Sequence, residues 1–136
     1  MKNLHNLVLV MATFFLFSCS DDNSGNDDNS IGESGTTVKY VVTATAPVIT
    51  GIEYRLPNGT YDEVSSPDSD WSQTIAVERP FNASLFAHFM NNTTSTQDYT
   101  LSIYVNNQLM RTVEGHVAPS SSVNDSAVLD VPAQSN

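Results

Sequence analysis

From residue 38 onward, apolar and polar side chains alternate, and this two-residue period predicts strands. Val38, Tyr40, Val42, Ala44 and Ala46 fall on one face of a first strand that ends before Pro47. Ile52, Tyr54 and Leu56 fall on one face of a second, with Glu53 and Arg55 opposite. Pro57-Asn58-Gly59-Thr60 then reads as a tight hairpin turn, because Asn-Gly accepts the positive φ angles such turns demand. The chain returns through a strand over residues 61–64, and a Ser, Pro and Asp loop leads to Trp71, Ile75 and Val77 on one side of the next strand, closed by Pro80. Ala83, Leu85, Ala87 and Phe89 form the inward set of the following strand, whose other face also has apolar character through Phe86, His88 and Met90. Residues 91–96 read as an exposed Asn-Thr-Ser turn. Leu101, Ile103 and Val105 come next, then Asn106-Asn107 as a second primed turn, then a strand over 109–113; Gly115 and a Pro-Ser stretch lead to Ala127, Leu129 and Val131.

Seven to eight short strands at regular spacing, joined by turn residues and without a helical pattern, predict an all-β fold. The expected architecture is a single immunoglobulin-like antiparallel β-sandwich over residues 38–131, with a flexible C-terminal tail over 132–136. The chain has one cysteine, Cys19, so the disulfide of antibody domains is absent and stability rests on packing, with Trp71 the expected core anchor.

The amino terminus follows another pattern. Lys2 and the polar Asn3, His5 and Asn6 precede an apolar or near-apolar run from Leu7 to Phe17, which predicts a signal peptide over residues 1–18. The run is about half the roughly 20 residues that a spanning helix needs. It ends in Leu16-Phe17-Ser18-Cys19, which resembles the bacterial lipobox, with an aliphatic residue three before the cysteine and a small one immediately before it. Phe17 is bulkier than that motif usually carries. The resemblance implies a diacylglyceryl group on Cys19, taken up by its thiolate, and hence a membrane partner held through lipid. Each buried methylene adds roughly 0.8 kcal/mol, so several chains make a permanent anchor.

After Cys19 the composition shifts. Residues 20–37 are Ser, Asp, Asn, Gly, Thr and Glu with one Ile31, carry five acids and no base, and read as a disordered tether together with Cys19. By the square-root rule for flexible linkers it holds the domain about 20–25 Å from the lipid. Its Asp pairs lack the Asp-x-Asp-x-Asp-Gly spacing and distal Glu of a calcium loop. Ser20-Asp21-Asp22-Asn23 instead resembles the signal that sends lipoproteins of the Bacteroidota to the outer face of the outer membrane. The expected location is therefore the outer membrane, at the cell surface, with the periplasmic face as the alternative.

Taken in order, Val38-x-Tyr40-x-Val42, Ile52-x-Tyr54, Asn58-Gly59, Trp71-Ser72, Ala83-Ser84-Leu85 and Ile103-x-Val105-Asn106-Asn107 resemble the small mycobacterial membrane proteins called MmpS. That resemblance implies a small β-sandwich outside the inner membrane that assists a large transporter of the resistance-nodulation-division class. Two departures stand out: a lipid anchor replaces the family's transmembrane helix, and the cysteines that many members carry near the last strands are missing. Both weaken the transporter inference more than the fold.

Charge and candidate chemistry narrow the function. The whole chain has a formal net charge of −10, and residues 38–131 carry ten acids against Lys39, Arg55, Arg79 and Arg111. That balance disfavours nucleic acid and anionic membrane surfaces. His88 and His116 stand without cysteine or His-x-x-x-His spacing, so no metal or other cofactor is expected. No serine sits in a nucleophile elbow, and Glu53, Glu63, Glu78 and Glu114 read as solvated strand faces more readily than as glycosidase carboxylates. A non-enzymatic role is expected, as an accessory or binding module for an envelope protein complex such as a transporter. The alternative is a surface glycan-binding or adhesion module, for which Tyr40, Tyr54, Tyr61, Tyr99 and Tyr104 offer stacking rings. Asn58, Asn82, Asn91, Asn92 and Asn124 begin Asn-x-Ser/Thr triplets of the kind a Ser/Thr/Asn-rich chain produces by chance. Asp125-Ser126-Ala127 resembles a short O-glycosylation signal of the Bacteroidota, with Ser126 as acceptor.

Overall fold

The computed structural model describes residues 35–67 and 69–135. The strands are β1 (Thr36–Ala44), β2 (Ile49–Arg55), β3 (Tyr61–Ser65), β4 (Asp70–Val77), β5 (Phe81–Asn91), β6 (Gln97–Val105), β7 (Gln108–Val117) and β8 (Ser121–Val131). They form two four-stranded antiparallel sheets, β4-β1-β6-β7 (sheet A) and β3-β2-β5-β8 (sheet B). This is the expected β-sandwich, with eight strands. The first strand begins at Thr36, two residues ahead of the expected Val38, because Thr36 and Thr37 pair with Val77 and Ala76 of β4.

The strand order has an internal logic. β1 and β4 pair in sheet A, while the β2–β3 hairpin between them lies in sheet B. β5 and β8 repeat that arrangement with the sheets exchanged, pairing in sheet B while the β6–β7 hairpin lies in sheet A. Each half of the domain thus contributes its hairpin to the other half's sheet, through the β1–β6 and β2–β5 ladders.

Alternation decides what is buried. Val38, Tyr40 and Val42 of β1 and Leu101, Ile103 and Val105 of β6 face Ile52 and Tyr54 of β2, Leu85 and Phe89 of β5, and Ala127 of β8. Tyr40 is fully buried, and its hydroxyl donates to the Arg55 carbonyl at 3.0 Å. Burial raises its pKa above the ordinary phenol value. Phe89 stacks on Tyr99 at 4.0 Å between ring centroids. Trp71 does not take the anchoring place expected of it: it lies on β4, an edge strand, half-buried against Tyr54 at 5.2 Å. The largest fully buried side chains are Tyr40 and Phe89.

Two turns and one loop refine the sequence reading. Asn106 and Asn107 take φ of 48° and 65°, the paired left-handed geometry of a primed hairpin turn. At 57–60 only Gly59 is left-handed, with φ of 86°. Pro57 fixes its own φ near −65°, so Leu56 to Gly59 forms an ordinary turn closed by Gly59 N–H to the Leu56 carbonyl (2.9 Å). Gly59 then supplies the left-handed step. Asn91, expected in an exposed turn, is fully buried. Its amide donates to the carbonyls of Ser95 (2.8 Å) and Val117 (2.9 Å), and its Oδ1 accepts from the Thr93 N–H.

Candidate functional site

β5 and β2 are the inner strands of sheet B, and their outward residues set the character of its exposed face. Along β5 these are Asn82, Ser84, Phe86, His88 and Met90, because Phe81, Ala83, Leu85, Ala87 and Phe89 turn inward. Register places Glu53 of β2 on one side of Phe86 and Ser126 of β8 on the other, with Glu63 of β3 beyond Glu53. One residue pair along, Ser65, Gly51, His88 and Asn124 form the next row across the four strands.

Apolar side chains concentrate here. Tyr61, Met90 and Val128 are each close to half exposed, and all three lie on this face. They are three of the five exposed large hydrophobic residues among the described residues; Leu109 and Met110 of β7 are the others. The Tyr61 and Phe86 rings meet above β2 at 5.8 Å between centroids, tilted by 57°. Paired aromatic rings gain beyond their buried area at such separations, so the pair is held together while its outer side stays open to solvent.

A hydrogen-bonded group flanks the rings on each side. On one, Arg55 Nη1 donates to Asn82 Oδ1 (3.0 Å), Ser84 Oγ donates to the same oxygen (3.0 Å), and Asn82 Nδ2 donates to Asp130 Oδ1 (2.6 Å). On the other, His88 Nδ1 meets Asn124 Oδ1 at 2.9 Å and His88 Nε2 meets Glu53 Oε1 at 3.4 Å. The Asn124 hydrogen bond, opposed by partial desolvation and aided by the Glu53 contact and charge, raises the His88 pKa above its ordinary 6.5. Glu53 and Glu63 stand directly opposite one another on β2 and β3, a like-charge pair that costs stability. Arg55 Nε is buried without a hydrogen-bond partner among the described residues.

The residues singled out in the sequence distribute as follows. Cys19 and the Ser20-Asp21-Asp22-Asn23 signal lie outside the described residues, as does the signal peptide. Ser126 is on the outer face of β8, half-buried, opposite Phe86. Its neighbour Asp125 is committed to the fold: Oδ2 accepts from the Tyr99 hydroxyl at 2.8 Å and Oδ1 from the Ser126 N–H at 2.8 Å. Of the five tyrosines, Tyr40, Tyr54 and Tyr99 are core residues, and Tyr104 lies under Lys39 with the ammonium 5.9 Å from its ring, leaving Tyr61 as the open ring. His88 lies on β5 and His116 on β7. Phe86 was visible in the sequence only as part of the apolar outer face of its strand. Its pairing with Tyr61 depends on the β2–β3 and β2–β5 registers, which no local pattern specifies.

Among the described residues, no group of three or more His, Cys, Asp or Glu side chains is arranged to hold a metal ion. Family models and curated proteins were both compared with the chain, and neither comparison gives a match.

Proposed function

We propose that this chain is a non-enzymatic, lipid-anchored binding module of the cell envelope, with the outer face of sheet B as its working surface. The observation that carries this reading is the open Tyr61–Phe86 pair with Val128 and Met90 on a single face of the sandwich. Exposed apolar groups gathered on one face, rimmed by polar ones, mark surfaces that meet something. The anchor is the lipid on Cys19, supported by the Leu16-Phe17-Ser18-Cys19 motif, and the location is the outer membrane, with the cell surface favoured by Asp21 and Asp22. The ordered resemblance to the MmpS proteins supports an accessory role in an envelope protein complex, of which a transporter is the example.

Two measurements test the two halves of this reading. Metabolic labelling with a palmitate analogue should mark the wild type and not Cys19→Ala; an unlabelled wild type removes the anchor. A photo-crosslinking phenylalanine analogue placed at position 61 should capture an envelope component in living cells, and the same analogue at position 74, on sheet A, should not. Equal capture from both faces would remove sheet B as the working surface.

A further inference from the structure

We propose that the sheet B face binds a neutral carbohydrate, with the open Tyr61 ring, braced by the inclined Phe86 ring, as the surface on which a sugar ring lies. This inference rests on the binding-module reading and names the ligand of that same face. A sugar ring presents C–H groups on its flat side and hydroxyls around its edge. The face presents the matching pattern. The aromatic pair lies between the Arg55–Asn82–Asp130 group and the Glu53–His88–Asn124 group, which offer donors and acceptors within one residue spacing of the rings.

Three features favour this ligand over others. First, the flanking side chains are already held by one another, so little side-chain freedom is lost when a ligand arrives. Second, the three acids Glu53, Glu63 and Asp130 outnumber Arg55 and His88, which opposes a polyanion such as nucleic acid or a sulfated glycan. Third, an apolar protein surface seated across the rings would also cover the Glu53 and Glu63 carboxylates, and among the described residues Glu63 has no cation to pair with; a buried unpaired charge is strongly unfavourable. A carbohydrate brings a hydroxyl to each of them and leaves the outer part of the face wet.

The test uses the intact lipoprotein, purified in a polyoxyethylene detergent so that no sugar headgroup competes. Affinity electrophoresis through gels containing neutral polysaccharides (a β-glucan, a mannan, a galactan) should retard the wild type in at least one. Tyr61→Ala and Phe86→Ala should each weaken that retention at least tenfold, while Leu109→Ala on β7 leaves it unchanged. Tyr61 is open and near a sheet edge, so its variant keeps the test decisive even where Phe86→Ala lowers the unfolding midpoint. Retention in none of the polysaccharides, or retention equal in Tyr61→Ala and wild type, overturns the proposal. If a protein is then the species crosslinked from position 61, the ligand class is wrong and the binding module stands; if nothing is crosslinked, both fall together.

Discussion

Tyr99 shows how one residue ties the two sheets together. Its ring stacks on Phe89 of sheet B, crosses directly over Gly115 of the neighbouring strand, and delivers its hydroxyl to Asp125 of β8. Burial first, and the Asp125 contact second, push that phenol up to about 12. A Cβ at position 115 would overlap the ring and the hydroxyl, and the ring is fixed at both ends. Gly115→Ala should therefore lower unfolding free energy by about 2–4 kcal/mol, from overpacking plus the lost hydrogen bond. In a Tyr99→Leu background the same change should cost much less, since contacting residues are not additive. Denaturant titration of the four proteins measures this; equal cost in both backgrounds would show that the ring is not the obstacle. His88 gives a second residue-scale prediction. Its folded pKa is raised, so the stabilisation it contributes is fully present below its unfolded value near 6.5 and is lost as pH rises through the folded value. NMR titration should place His88 above 6.5 in the wild type and lower in Asn124→Ala and in Glu53→Gln, and the stability gap between wild type and His88→Gln should narrow from pH 5.5 to pH 8. An Asn124→Ala titration superimposable on that of the wild type would show that this hydrogen bond does not hold the proton.

Strands were legible in the sequence because each sheet has one wet face, so the alternation of Val38, Tyr40 and Val42 or of Leu101, Ile103 and Val105 survives in the burial pattern. Turns were legible where a residue pair carried its own geometry, as Asn106-Asn107 does, and less so where a neighbour overrode it, as Pro57 does at Asn58. Asn91 was misread because its polarity suggests solvent. Its role depends on Val117, 26 residues away in sequence, whose carbonyl it satisfies. The paired rings of the candidate face were hidden for the same reason: the registers that join Tyr61 to Phe86 across β2 are long-range facts. The Asn91 network makes a prediction about the connection between β5 and β6. Asn91→Ala leaves the buried Val117 carbonyl without its donor and releases the Thr93 N–H from Oδ1, which should cost about 1–3 kcal/mol. Hydrogen exchange should quicken at Thr93 in that variant while the β2–β3 amides keep wild-type rates. Unchanged exchange at Thr93 would show that the loop is ordered without the Asn91 side chain.

At the scale of the whole domain, the exchanged hairpins mean that neither half can form its own sheet. Residues 35–79 contain β1 and β4, but the ladder that extends them is β6, from the other half. Their β2–β3 hairpin needs β5, again from the other half. A two-stranded ribbon alone is marginal in water, and each half would expose the apolar face that the other covers: Val38, Tyr40 and Ile52 from one, Leu85, Phe89 and Leu101 from the other. Fragments 35–79 and 80–136 should each lack the strand signal in far-UV circular dichroism and the dispersed amide resonances of a packed core. Mixed at equal concentration, they should regain both, because the β1–β6 and β2–β5 ladders can form between chains as well as within one. Trp71 offers an independent readout: it packs on Tyr54 within the first fragment, yet Tyr54 is positioned by Leu85 of the second. Its fluorescence should stay solvent-like in the isolated fragment and shift to the blue only when residues 80–136 are added. A first fragment that already shows the shifted emission and dispersed amides would mean that each half carries its own fold, and that the exchange of hairpins is not what holds the sandwich together.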